Sequence, residues 1–247
     1  MTSDAITPQQ WLAKTPLRPG ELLYAVISST STAQPLAAWR QHESQPAVPL
    51  WANTPYADWL PVMPWLLCLT GTEAFLNWAA HTDAQDWGWL AISSAPPELI
   101  AEHLRGLTQV FTAPSDAVFF RFWDGRYFLT VLQQLGATTS DVLPVFDRYW
   151  VNGQPVAVGQ GANRPAQDFP WWQVPEDLLC ALVEQDSSSV IDNLMCLLKE
   201  TAPLLYNATA ESVLRQKVES YLAATGSALN FDHARFTAHL QQEQSND

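Results

Sequence analysis

Two hydrophobic patterns divide the chain. Before about residue 175, short apolar runs alternate with segments of helical spacing; after it only the helical spacing persists. The runs at 22–27, 64–69 and 88–93 predict strands, apolar throughout as in a sheet covered on both faces. Between them, helical spacing predicts short helices over 7–14, 33–42 and 72–80, with Trp39 in the second. Pro46 to Pro49 reads as a short extended piece, and 53–61 as a loop carrying Tyr56 and Trp59. After the third strand, Pro96, Pro97 and Glu98 compose a helix's first turn, with Ser94 as its expected cap. Leu99, Ile100, His103, Leu104 and Leu107 then recur at helical spacing, and Gly106 marks the end.

A further strand is expected over 118–123, with Val118, Phe120 and Phe122 on one face and Phe119, Arg121 and Trp123 on the other. Asp124 is the natural N-cap of the helix that runs from it toward Gly136. Ser140 is read as the cap of a helix carrying Val142, Leu143, Val145 and Phe146, with Pro144 inside it. Asn152-Gly153 predicts a tight hairpin within 149–158. Beyond 175, three apolar stripes predict helices: Leu178, Leu179, Leu182 and Val183; then Val190, Ile191, Leu194, Met195, Leu197 and Leu198; then Val213, Leu214, Val218, Tyr221 and Leu222. Asp232 is placed as the cap of a fourth, with Phe236 and Leu240 inward. The fold class is therefore α/β, a mixed sheet flanked by helices, followed by an all-helical C-terminal lobe. Residues 1–160 form the first lobe, 161–175 an aromatic and Pro-rich junction, and 176–247 the helical lobe.

Composition narrows the possible partners. Twelve Lys and Arg face 25 Asp and Glu, a formal charge of -13. Such a surface repels phosphate backbones and anionic lipids, so neither nucleic acid nor a membrane surface is an expected partner. Cys68, Cys180 and Cys196 show no CxxC spacing, so they read as buried small hydrophobes rather than disulfide or zinc ligands. The polar start of the chain carries no signal-peptide pattern and no apolar run is long enough to span a bilayer, which points to the cytoplasm.

Catalytic patterns are missing: no nucleophile elbow, HExxH, Walker loop or dinucleotide fingerprint is present. Gly159 and Gly161 form a GxG without a strand before it or a helix after it. His233 and His239 stand six apart, on different helix faces. His81 near Asp83 and Asp86 lacks a nucleophile, and His103 lies on the apolar stripe of its helix. No catalytic residue, metal or cofactor is assigned. Arg121, Asp124 and Arg126 place two guanidiniums around one carboxylate, read as a structural knot rather than an anion site. Phe169, Trp171 and Trp172, clustered near prolines, are the candidate partner contacts, with packing between lobes as the alternative.

Trp87-Gly88, Ser94, the His103-Leu104-Arg105 helix end and the Arg121-Phe122-Trp123-Asp124-x-Arg126 signature occur in one order. Together, over roughly 22–150, they resemble the effector adaptors, or chaperones, of bacterial type VI secretion. The resemblance implies a non-catalytic cytoplasmic protein whose partners are a secreted effector and, at loading, the valine-glycine-repeat spike. It also implies that Trp87, Gly88, Arg121, Asp124 and Arg126 define the fold. Two alternatives stay open: an immunity protein neutralising a toxin domain, and an enzyme whose site residues are scattered along the chain.

Overall fold

A computed structural model describes residues 5–42, 46–70, 73–113, 116–159, 164–186 and 202–225, with isolated positions at 191, 194–195, 198–199, 236 and 238. The chain divides into two compact units, Met1–Pro175 and Glu176–Asp247. Residues 164–175, part of the expected junction, belong to the first.

The first unit holds a six-stranded sheet built from β1 (Leu22–Ile27), β2 (Val48–Pro49), β3 (Trp65–Leu69), β4 (Gly88–Ser93), β7 (Arg148–Val151) and β8 (Gln154–Ala157) in the order β2-β3-β1-β4-β7-β8. Every neighbouring pair is antiparallel, which corrects the mixed sheet expected from alternating strands and helices. β3 and β4 flank β1 on opposite sides and run parallel to each other, but they are never neighbours. The helix α3 (Glu73–His81) therefore crosses from β3 to β4 without creating a parallel ladder.

Both faces of the central strands are covered, so β1, β3 and β4 read as nearly continuous apolar runs although the pairing is antiparallel. On one face Leu23, Ala25, Ile27, Leu67, Leu69, Leu90, Ile92 and Trp150 pack with Trp11, Trp39, Phe75 and Trp87. These partners come from α1 (Pro8–Lys14), α2 (Pro35–His42), α3 and the start of β4. Thr7 caps α1 with a full capping box: its hydroxyl accepts from Gln10 N at 3.2 Å and its own N–H reaches Gln10 Oε1 at 2.9 Å. On the other face Trp89 stacks on Phe128 of α5 (Gly125–Leu135), with centroids 4.4 Å apart, and both meet Tyr149. The Tyr24 hydroxyl donates to Ala95 O just ahead of α4 (Pro97–Arg105).

Several local readings change. The cap of α4 is Pro96, whose side chain makes no cap bond, rather than Ser94. The helix at 139 is α6 (Thr139–Val142) alone, because Pro144 lacks the N–H that would continue it. The strand expected over 118–123 is a hairpin of β5 (Gln109–Ala113) and β6 (Asp116–Phe119), outside the main sheet. Phe120, Phe122 and Trp123 are buried but lie beyond its end. Asn152 and Gly153, with φ of 50° and 81°, make the turn joining β7 and β8. Cys68 and Cys180 are free and only partly buried, and Cys196 lies outside the described residues.

The described residues of the second unit are helical. They include α7 (Glu176–Gln185), α8 (Pro203–Ala208), which no apolar stripe announced, and α9 (Glu211–Thr225). Ile191, Leu194, Met195, Leu198, Leu214, Val218, Leu222 and Phe236 share one core. Val213, expected inward, is exposed. Asp232, Leu240, His233 and His239 lie outside the described residues. No described helix is long and apolar enough to cross a membrane.

Candidate partner-binding surface

The segment between β2 and β3 begins buried at Leu50 and Trp51 and then emerges. It cannot join a ladder, because it is a succession of tight turns. Thr54 N bonds Trp51 O, Ala57 N bonds Thr54 O, and Trp59 N bonds Tyr56 O, all at 3.1 Å or less. The Thr54 hydroxyl fixes the middle of the run, donating to Trp51 O at 2.8 Å and accepting from Tyr56 N at 3.1 Å. A 3-10 turn at Leu60–Val62 ends it at buried Met63. The result holds Trp59 at 46% and Leu60 at 60% exposure beside exposed Val62.

The β5–β6 hairpin brings a second apolar element to the same place. Phe119 stacks on Trp59 at 5.5 Å with a 24° interplanar angle, and Tyr56 meets Phe119 at 4.9 Å. Beneath them the Trp51 indole packs on Trp123 at 5.3 Å and on Phe119, Tyr56 and Trp59 at 6.0 to 6.4 Å. Trp51 and Trp123 are buried, so the rings above them are held on a rigid base. Edge-to-face and offset contacts at these distances are the favourable aromatic geometries.

The candidate contacts Phe169, Trp171 and Trp172 divide. Half-buried Phe169 joins the platform, 6.0 Å from Tyr56. Trp172 is buried against Phe120 at 5.5 Å. Its backbone lies along β5, with Phe111 N donating to Trp172 O and Val174 N to Phe111 O, each at 2.9 Å. Trp171 is half-buried, and its indole nitrogen lies 3.3 Å from where a Cβ on Gly106 would stand. Trp59, Leu60 and Phe119 were missed as site residues. The trace they left was two aromatics in a loop otherwise rich in turn formers.

The Arg121–Asp124–Arg126 signature closes on itself. The Asp124 carboxylate, 2% exposed, accepts from Arg121 at 2.9 Å and from Arg126 Nη2 and Nε at 2.8 and 3.1 Å. It also accepts from the Arg126 backbone N–H at 3.0 Å, capping α5. Both guanidiniums lie over the Tyr127 ring, at 5.0 and 5.4 Å. Trp87 is in the core, and Gly88 sits at φ +142° where a Cβ would lie 2.1 Å from Val26 O.

His81 and Asp86 are each held by another group. His81 Nδ1 is 2.7 Å from Asn77 O, and Asp86 accepts from the Ser31 hydroxyl at 2.8 Å. A cleft of about 320 Å³ beside them is lined by Asp83, Gln85, Trp87 and Asn152 but not by His81. His103 is buried, and that burial lowers its pKa. Among the described residues no group of three His, Cys, Asp or Glu could hold a metal ion.

Residues 23–141 match the model of a protein family described as a domain of unknown function, DUF4123. The matched segment spans β1 to α6, so it contains the signature and the two chain segments that carry Trp51, Tyr56, Trp59 and Phe119. No curated protein and no solved structure matches the chain.

Proposed function

We propose that this protein is a non-catalytic adaptor that binds a type VI secretion effector and assists its loading onto the spike complex. The observation that carries the reading is the platform: Tyr56, Trp59 and Phe119 held partly open to solvent on a buried Trp51–Trp123 base, beside exposed Leu60. Rigid aromatics that need little ordering are the usual anchors of protein interfaces. Two further points support it. The ordered residues from Trp87 to Arg126 resemble the adaptor signature, and the family match covers that same stretch. Binding in this reading is stoichiometric, without turnover, and no cofactor or metal takes part.

The test is recovery of the tagged protein from its native bacterium, with bound proteins identified by mass spectrometry, paired with secretion assays after gene deletion. A large effector or spike component near one-to-one, whose secretion stops on deletion, is the expected result. A small toxin domain from whose action the protein alone protects cells would establish immunity instead. Secretion that continues undiminished without the gene would overturn the adaptor role.

A further inference from the structure

The hairpin that carries Phe119 also presents an unpaired strand edge. β6 pairs with β5 in the register Gln109↔Phe119, Val110↔Val118 and Phe111↔Ala117. Phe120 N bonds Thr108 O, so in the alternating antiparallel ladder the next bonded pair is Val118 with Val110. Ala117 and Phe119 then fall at non-bonded positions, with their N–H and C=O groups directed away from β5. The opposite edge of the hairpin agrees: Phe111, across from Ala117, directs its N–H and C=O outward to Trp172 and Val174. One edge of this small sheet is therefore filled by residues 172–174. The other is open, no described backbone group bonding Ala117 or Phe119 from outside the hairpin. All four residues of β6 are exposed.

Exposed strand edges invite pairing and are normally blocked by lysine, proline or a covering element. None of these is present in β6, whose sequence is Asp-Ala-Val-Phe. Carboxylates lie on the strand and next to the platform rings instead. Asp116 lies on the strand, Asp58 precedes Trp59, and Asp168 precedes Phe169; all three are exposed, and none has an ion pair among the described residues. A second copy of the chain would bring the same three carboxylates and a further formal charge of -13 to the contact, so self-pairing is opposed. A basic segment is favoured by the same charges.

We propose that β6 is a strand-addition site, where an extended partner segment alternating apolar residues with Lys or Arg pairs with Ala117 and Phe119. Its apolar side chains on one face lie on Trp59 and Phe119, and its cations meet Asp58, Asp116 and Asp168. Backbone bonds supply affinity and side-chain alternation supplies selectivity, as in other strand-addition complexes. This deepens the adaptor reading and rests on it only in taking the occupant to be a polypeptide.

The experiment uses the full chain and a synthetic ten-residue peptide of alternating valine and lysine, with a valine–glutamate peptide as comparison. Binding is followed by fluorescence anisotropy and by amide hydrogen exchange. The lysine peptide is expected to bind and to slow exchange at Ala117 and Phe119, and the glutamate peptide to bind at least about tenfold more weakly. Ala117→Pro removes only an outward N–H, a change an edge strand accepts, and should weaken binding about tenfold while leaving the fold intact. Should that variant misfold, the Asp58→Asn, Asp116→Asn, Asp168→Asn triple variant carries the test; it should weaken binding and flatten its salt dependence. No binding at millimolar peptide, equal binding of both peptides, or binding without protection at Ala117 and Phe119 would each overturn the proposal. An effector captured equally by native protein and by Ala117→Pro would also overturn it, leaving the adaptor reading intact.

Discussion

Replacing Asp124 by alanine tests whether the signature holds the fold together. The carboxylate caps α5 through the Arg126 N–H, a contribution of about 1 kcal/mol. It also accepts charge-assisted bonds from two guanidiniums, each worth about 1.5–3 kcal/mol when buried. Here Arg121 and Arg126 are 43% and 41% exposed, so water rehydrates them once the carboxylate is gone. That reduces their joint share to about 1–2 kcal/mol. Asp124→Ala should thus cost about 2–3 kcal/mol and, for a unit of this size, lower Tm by about 5–10 °C. Asp124→Asn keeps the cap acceptor and loses the charge, at about 1 kcal/mol. The assay is urea unfolding followed by tryptophan fluorescence, which reports the first unit alone, because all 12 Trp precede Glu176. An alanine variant within about 0.5 kcal/mol of native, half the worth of one cap, would refute the reasoning. So would equal losses for alanine and asparagine.

Two further outcomes follow from the same unit. Gly88→Ala would place a Cβ 2.1 Å from Val26 O, at a φ that side chains rarely adopt, in the strand pair at the centre of the sheet. It should cost about 3 kcal/mol or more, read as lost soluble yield or a lowered urea midpoint; an unchanged midpoint would contradict the close approach of β1 and β4. Burial holds the His103 pKa below the ordinary imidazole value of about 6.5. Between the two values the unfolded chain carries the extra proton, so stability falls as pH falls through about 6.5 and is fully present above it. His103→Leu should flatten the dependence of unfolding free energy on pH between about 7 and 5; an unaltered slope would show that the His103 pKa is the same in the folded and unfolded chain.

Legibility in the sequence followed how locally each feature is determined. β1 and β4 were readable to the residue because burial on both faces leaves no polar position inside them. The Asp124 cap and the Asn152-Gly153 turn were readable because each needs only a few adjacent residues of the right chemistry. Strand direction was not, since a helix between two strands is compatible with neighbours or with strands separated by a third. Gln109–Ala113 has too few residues for a period, so the 118–123 run absorbed the hairpin's second half. The platform was least legible of all: Tyr56, Trp59, Phe119 and Phe169 are far apart in the chain, and only the folded structure sets their rings together.

The anchoring of the first helix has a consequence for biogenesis. Ile6 N donates to Gly153 O, and the Trp150 indole donates to Ile6 O, each at 2.9 Å. The seat of α1 is thus made by a hairpin synthesised nearly the whole unit later. During translation α1 emerges before the strands and the hairpin it packs on, and central β1 waits for β3 and then β4 before both its edges are filled. Assembly therefore runs against the direction of synthesis, and the nascent unit displays apolar surface until the β7–β8 hairpin leaves the ribosome.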